Sequence, residues 1–91
     1  MQLTKVKQYL TTEAKAWLSR NGSGEVIRVV PSYAPAGQQC YELYTSFEQT
    51  TENLGRILFD NDGYWIYDGY DLQVAEQEHL ALFIINYMDR L

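Results

Sequence analysis

The sequence lacks the segments that would place it in a membrane or in an oxidising compartment. Its 91 residues contain one cysteine, Cys40, so no disulfide can form within the chain. No run approaches the roughly 20 apolar residues that a membrane-spanning helix needs. The opening segment MQLTKVKQYL carries charges where a secretory signal needs its apolar region. We therefore expect a cytoplasmic protein that does not insert into a membrane.

Residues that support common catalytic and metal chemistry are also scarce. His79 is the only histidine, which excludes a two-histidine metal site within one chain. The sequence has no G-x-S-x-G, no phosphate-binding glycine loop and no C-x-x-C. We therefore expect no cofactor, no metal centre and no catalytic activity. Cys40 lies close to Tyr41 and Leu43 in a predicted strand, so we expect a small buried side chain rather than a nucleophile.

Charge is distributed unevenly along the chain, whose net charge is −5. Segment 1–38 has five basic and two acidic residues, for +3, whereas segment 39–91 has two basic and ten acidic residues, for −8. Nucleic-acid affinity depends largely on basic side chains that neutralise phosphates, so this chain makes a poor general DNA or RNA binder. With 46% hydrophobic residues and two prolines, the composition is that of one small globular domain over residues 1–91.

The strongest local signal is segment 54–70, LGRILFDNDGYWIYDGY, which predicts a β-hairpin. Asp60-Asn61-Asp62-Gly63 at its centre is a turn sequence, because Asn and Asp tolerate positive φ and glycine adopts it without steric cost. The flanking β-branched and aromatic residues suit strands. Large apolar side chains point to both faces of these strands. We therefore expect either that the strands are central in the sheet or that one face is reserved for a partner.

Before this hairpin, the pattern predicts one helix and two further strands. Apolar residues at steps of three and four over Leu3–Arg20 indicate an amphipathic helix, and Asn21-Gly22 supplies its predicted end. Glu25–Val30 is a β-branched run that Pro31 is expected to end. Cys40–Thr45 is predicted to be the next strand.

The C-terminal segment predicts a second helix, with Asp71 as its cap. Its apolar residues exceed the single stripe that one buried side requires. Leu82, Ile85 and Met88 lie outside that stripe, and we expect them to form an oligomer interface. The alternative is that this helix is buried on both sides, between the sheet and the first helix.

Together these elements predict an α+β fold. It consists of an N-terminal helix, a four-stranded and mostly antiparallel meander, and a C-terminal helix, with both helices packed on one face of the sheet. The connections are short and local, which favours pairing between strands that follow one another in sequence. The sequence shows no internal repeat and no domain boundary.

Eight tyrosines are the most unusual feature of the composition. Tyrosine offers a large contact area with a polar tip and loses little side-chain entropy on binding, although strands also favour it for their own packing. Several tyrosines lie near acidic residues, a combination that suits a basic protein partner. The predicted binding surface consists of Tyr41, Tyr44, Tyr64, Tyr67, Tyr70, Glu42 and Asp68.

The expected function is that of a small acidic interaction or regulatory module, which binds a basic protein or a second copy of itself. A function of another class stays open: a small enzyme or a subunit dependent on a divalent metal, using Asp60 and Asp62 in the turn with His79. The turn does not match a calcium loop, because the first ligand would be Leu58 and the twelfth Gly69.

Overall fold

The chain forms an antiparallel sheet that carries a helix on one side. The computed structural model describes residues 9–20, 22–32, 38–46 and 51–87. In chain order the elements are β1 (Ala14–Arg20), β2 (Ser23–Ser32), β3 (Gln39–Thr45), β4 (Asn53–Phe59), β5 (Trp65–Asp68) and α1 (Val74–Asn86). The strands are hydrogen-bonded in the order β1-β2-β3-β4-β5, and each neighbouring pair is antiparallel.

The predicted N-terminal helix is wrong, and with it the predicted arrangement of helix, four-stranded sheet and helix. Residues 14–20 form β1, and the described part of the chain has no helix before it; residues 3–8 lie outside the described residues. In β1 the side chains alternate, with Ala14, Ala16 and Leu18 buried and those between them exposed. This period of two prevails over the steps of three and four because β1 pairs with β2 along its whole length.

The turn between β1 and β2 explains the error. Arg20 pairs with Ser23, which leaves a two-residue connection, and Gly22 in that connection has a φ of 80°. An Asn-Gly pair is a strong signal for such a hairpin turn. After a helix-like pattern the same pair is compatible with a helix end. Only the pairing of the two flanking strands separates these interpretations.

Strand β2 continues past Pro31, which was its predicted end. Pro31 pairs with Tyr41 of β3. On the other side of β2, β1 begins at Ala14, opposite Val29, so no β1 residue stands opposite the proline. The missing backbone donor therefore leaves no β1 acceptor unpaired, as expected for a proline at a sheet edge.

The predicted hairpin is confirmed, since β4 and β5 are antiparallel neighbours joined by a turn that begins at Asp60. Gly63 has a φ of 89°, and its N–H donates to the Asp60 carbonyl at 3.2 Å. The Asp60 carboxylate accepts hydrogen bonds from the N–H groups of Asp62 at 2.9 Å and Tyr64 at 3.0 Å. The aspartate thus stabilises the turn from within.

Helix α1 is present where a C-terminal helix was predicted, but it begins at Val74 and Asp71 is not its cap. Gln73 precedes the first helical residue, and its N–H donates to Glu76 Oε1 at 2.8 Å. This bond satisfies a backbone donor that the helix itself leaves unpaired, as in a capping box.

One face of the sheet, the covered face, carries the core, and α1 packs on it. The fully buried apolar side chains from these strands and the helix are Ala16, Leu18, Ile27, Val29, Tyr41, Leu43, Leu54, Ile57, Phe59, Leu80, Ala81 and Ile84. Tyr9, at the start of the described chain, joins this core with its ring 4.9 Å from that of Phe59. Among the strands, α1 lies closest to β1.

The opposite face of the sheet is the open face, which no described helix covers. Its main residues are Lys15, Trp17, Val26, Arg28, Val30, Cys40, Glu42, Tyr44, Arg56, Leu58, Ile66 and Asp68. Apolar residues therefore occur on both sides of the strands, one set in the core and the other on the open face. None of the described helices has the length and apolar character needed to cross a membrane.

Gly55 combines a positive φ with close contact to the backbone of the neighbouring strand. Its φ is 111°, and an added Cβ would lie 2.7 Å from the Asp68 carbonyl oxygen and 2.8 Å from the Tyr67 ring.

Gly55→Ala should lower the free energy of unfolding by about 3 kcal/mol, because backbone strain and steric overlap act together. Gly22→Ala is the matched control: its φ is also positive, but no described atom lies within 4 Å, so about 1 kcal/mol is expected. Urea unfolding measures the free energy of unfolding of both variants. Equal losses in the two variants would show that steric overlap at Gly55 does not contribute.

Candidate functional site

The structure separates the seven predicted binding residues into two groups. Tyr41 and Tyr67 point into the covered face. Of the other five, Glu42, Tyr44, Tyr64 and Asp68 lie on the open face, and Tyr70 is an exposed residue of the connection that follows β5. The alternation of a strand assigns each residue to a face, but only the position of α1 decides which face is covered.

Tyr41 is a core residue, so it does not belong to an exposed surface. Its side chain is 2% exposed. The hydroxyl donates to the Leu10 carbonyl at 2.8 Å, and the ring meets Phe59 edge-on with 5.9 Å between centroids. Tyr41 therefore anchors the segment that precedes β1 to the core.

Tyr67 supports the end of the hairpin. Its hydroxyl donates to the Leu54 carbonyl and accepts a hydrogen bond from the Asp71 N–H at 3.2 Å. Leu54 is the extra residue of a β-bulge, where the register of β4 against β3 shifts. Tyr67 thereby ties β4 to the connection between β5 and α1, and its side chain is half-buried.

The centre of the open face is polar, and its charges are paired. Arg28 Nε lies 2.7 Å from Glu13 Oε2, and Arg56 Nε lies 3.0 Å from Asp68 Oδ2. The hydrogen bond to Arg28 lowers the pKa of Glu13 and raises that of Arg28, and the bond to Asp68 raises the pKa of Arg56. Exposed pairs of this kind add little to stability, but they orient the side chains of this central band.

Two of the predicted binding residues, Glu42 and Tyr44, belong to the same band. Asn53 Nδ2 donates to Glu42 Oε1 at 3.1 Å. The guanidinium of Arg28 lies over the Tyr44 ring, 5.5 Å from its centroid. Both residues are half-buried. The Glu42 carboxylate and the Tyr44 ring are therefore already engaged within the chain.

Large exposed side chains concentrate in and beside β5. Tyr64 is 74% exposed, Ile66 is 64% exposed and Tyr70 is fully exposed. Segment 60–71 also carries four aspartates and no lysine, arginine or histidine. The β5-end surface is defined as Tyr64, Ile66, Tyr70, Asp60, Asp62, Asp68 and Asp71. Ile66 is not among the residues predicted from the sequence, because a lone aliphatic residue in a strand resembles a core residue. Its alternation with two aromatic neighbours is the signal that places it on the other face.

A groove of about 690 Å³ lies beside β1 and β2, at the other end of the sheet, lined in part by Trp17 and Arg20. The Trp17 indole is 65% exposed and lies across Gly24, where an added Cβ would be 2.0 Å from the ring. Arg20 pairs with Glu25 at 2.9 Å, while its Nε is buried without a hydrogen-bond partner among the described residues. Trp17 is not among the residues predicted from the sequence, because its spacing fits the apolar stripe of the predicted helix. The alternation over residues 14–18 is the signal for a strand.

Two of the three residues predicted to form an oligomer interface, Leu82 and Ile85, are among the described residues. Leu82 is exposed on α1. Ile85 is half-buried and packs against the core. Met88 lies outside the described residues. Of this set, Leu82 is the side chain that α1 presents to solvent.

The structure does not bring together the residues of the alternative function. Asp60 and Asp62 lie at the β5 edge of the sheet, and the Asp60 carboxylate is engaged in the turn. His79 lies at the β1 edge, where its Nε2–H donates to the Trp17 carbonyl at 2.8 Å. Four strand spacings, about 19 Å, separate these edges. The described residues contain no group of three or more metal-ligating side chains.

Calcium or magnesium should therefore leave the turn unchanged. With submillimolar ion, the amide chemical shifts of residues 60–71 should stay constant, because the Asp60 carboxylate already accepts two backbone hydrogen bonds and no further ligands converge on it. Amide spectra recorded during the titration provide the measurement. A saturable shift confined to these residues would contradict this expectation and favour the metal-dependent alternative.

Cys40 is buried, as predicted, with 1% of its surface exposed. Burial raises the pKa of its thiol, and the neighbouring Glu42 carboxylate acts in the same direction, so the reactive thiolate fraction falls.

A thiol reagent such as Ellman's reagent, at mildly alkaline pH, should leave the folded protein unmodified and label one thiol per chain in denaturant. Fast labelling of the folded protein would show that the thiol is accessible.

Two regions thus differ from the paired centre of the open face, namely the acidic β5-end surface and the Trp17 groove. No family model matches the chain, and no curated protein or solved structure is significantly similar to it. The function is therefore inferred from the arrangement of these residues.

Proposed function

We propose that the protein is a small cytoplasmic binding or regulatory module, without catalytic activity, that uses its β5-end surface to bind a protein rich in basic residues. The observation that carries this proposal is the combination, in segment 60–71, of three large exposed side chains with four aspartates and no basic residue, although Asp68 is paired with Arg56 of the neighbouring strand. A free cysteine suits a reducing compartment and supports the cytoplasmic location.

The two kinds of side chain have complementary roles in such a contact. Tyr64 and Tyr70 offer large, stiff rings that lose water when a partner covers them. The neighbouring carboxylates attract a basic partner from a distance and set its orientation. The same carboxylates repel phosphates, so a nucleic acid is not the proposed ligand.

The proposal is tested by affinity capture from a lysate of the native cells, using two matched double variants. Tyr70→Ser with Asp62→Asn removes one ring and one charge from the β5-end surface. Val74→Ser with Glu78→Gln makes the same kind of change at exposed positions of α1. The wild type and the helix variant should retain the same protein, and the surface variant should retain it about tenfold less, as expected for the loss of one contact hot spot.

The captured protein should carry a basic surface and should be released as salt concentration rises, because screening weakens the attraction of the carboxylates. Thermal unfolding verifies that both variants remain folded. If the two variants retain the same proteins to the same extent, the β5-end surface is not a binding site and the proposal fails.

A further inference from the structure

The two edges of the sheet differ in how they are covered. At the β1 edge, α1 lies alongside the strand and His79 donates to the Trp17 carbonyl. At the β5 edge, no described residue is hydrogen-bonded to the outer side of the strand. Strand β5 has only four residues and contains no lysine or proline, and its one charged residue, Asp68, is paired with Arg56 of the neighbouring strand. An unpaired edge of this kind is able to accept another strand.

The turn of the hairpin determines which backbone groups point outward. The Asp60 N–H donates to the Tyr64 carbonyl at 2.9 Å, so the backbone groups of Tyr64 point towards β4. In an antiparallel ladder this direction alternates from one residue to the next. Trp65 and Tyr67, which stand opposite Phe59 and Ile57, therefore direct their N–H and C=O groups to the outer edge.

We propose that two copies of the chain pair through their β5 strands, antiparallel and around a two-fold axis at Ile66. In this register Trp65 stands opposite Tyr67 of the second copy, and each of these two pairs exchanges two backbone hydrogen bonds. The two sheets join into one of ten strands, and both copies of α1 lie on the same side of it. This inference goes beyond the proposed function and does not require the basic partner.

The side chains fit this register. Ile66 meets Ile66 of the second copy on the open face, at a pair whose backbone groups do not bond and whose side chains therefore approach closely. Tyr64 stands opposite Asp68 of the second copy, so the only charge in β5 faces a hydroxyl and not a like charge. On the covered side, the half-buried rings of Trp65 and Tyr67 form a cross-strand aromatic pair.

A register shifted by one residue would be much poorer. It would place the open face of one copy beside the covered face of the other and leave half-buried rings next to exposed aspartate. The two-fold register at Ile66 keeps both faces continuous and uses all outward groups of Trp65 and Tyr67. Because a four-residue strand buries a small area, we expect dissociation in the roughly high micromolar range.

Charge substitution at the two-fold axis tests the pairing in the full chain. Ile66→Lys and Ile66→Glu each place like charges opposite one another, and each should weaken self-association at least about tenfold. An equimolar mixture of the two variants should restore a dimer, because a lysine then faces a glutamate. Sedimentation equilibrium measures all three samples, and Leu82→Lys, an exposed apolar position on α1, is the control that should leave association unchanged.

Amide hydrogen exchange of the wild-type protein provides a second measurement. It needs no substituted variant, so the result does not depend on whether a variant folds. Exchange at the Trp65 and Tyr67 amides should slow as protein concentration rises, since those N–H groups become bonded in the dimer. The proposal is overturned by a monomer at roughly millimolar concentration, by a mixture of variants that stays monomeric, or by loss of association in Leu82→Lys alone. Equal exchange at both amides in dilute and concentrated samples also overturns it, as would pairing of β5 with a different protein and not with itself.

Discussion

The packing of α1 on the covered face is the interaction on which the rest of the structure depends. Every neighbouring pair of strands is consecutive in sequence, whereas α1 returns from β5 to lie beside β1, at the start of the described sheet. Leu80 and Ile84 are fully buried in this contact, and each such side chain contributes roughly 1.5–3 kcal/mol relative to exposure. A sheet without this helix would have no closed core.

One helix covers one face, so the other face must be compatible with water. Its centre achieves this through paired charges and hydrogen bonds, in which Arg28 and Arg56 each hold a carboxylate. Of the large apolar side chains on this face, the two that are strongly exposed lie at its two ends, Trp17 at one and Ile66 at the other. This separation keeps any single exposed apolar patch small while leaving two places where contact with another molecule would remove apolar surface from water.

The two proposals concern neighbouring parts of the same hairpin, and they are compatible. Pairing through the outer edge of β5 uses the backbone of Trp65 and Tyr67 and also engages the side chains of Tyr64, Ile66 and Asp68. Tyr70 and Asp62 lie outside the strand and stay available. A dimer would place two acidic β5-end surfaces in one continuous sheet. A partner with two basic segments would then bind both at once, with an apparent affinity above that of either surface alone.

The sequence by itself determined the features that depend on consecutive residues. The turn at Asp60–Gly63, the strands beside it, the C-terminal helix and the uneven charge follow from local conformational preference and composition. Only the tertiary structure decided the conformation of residues 14–20, because their apolar spacing fits both periods and pairing with β2 selects the strand. It also decided that Tyr41 is core and Tyr64 is surface, since alternation separates the two faces of a strand but does not identify the one that α1 covers.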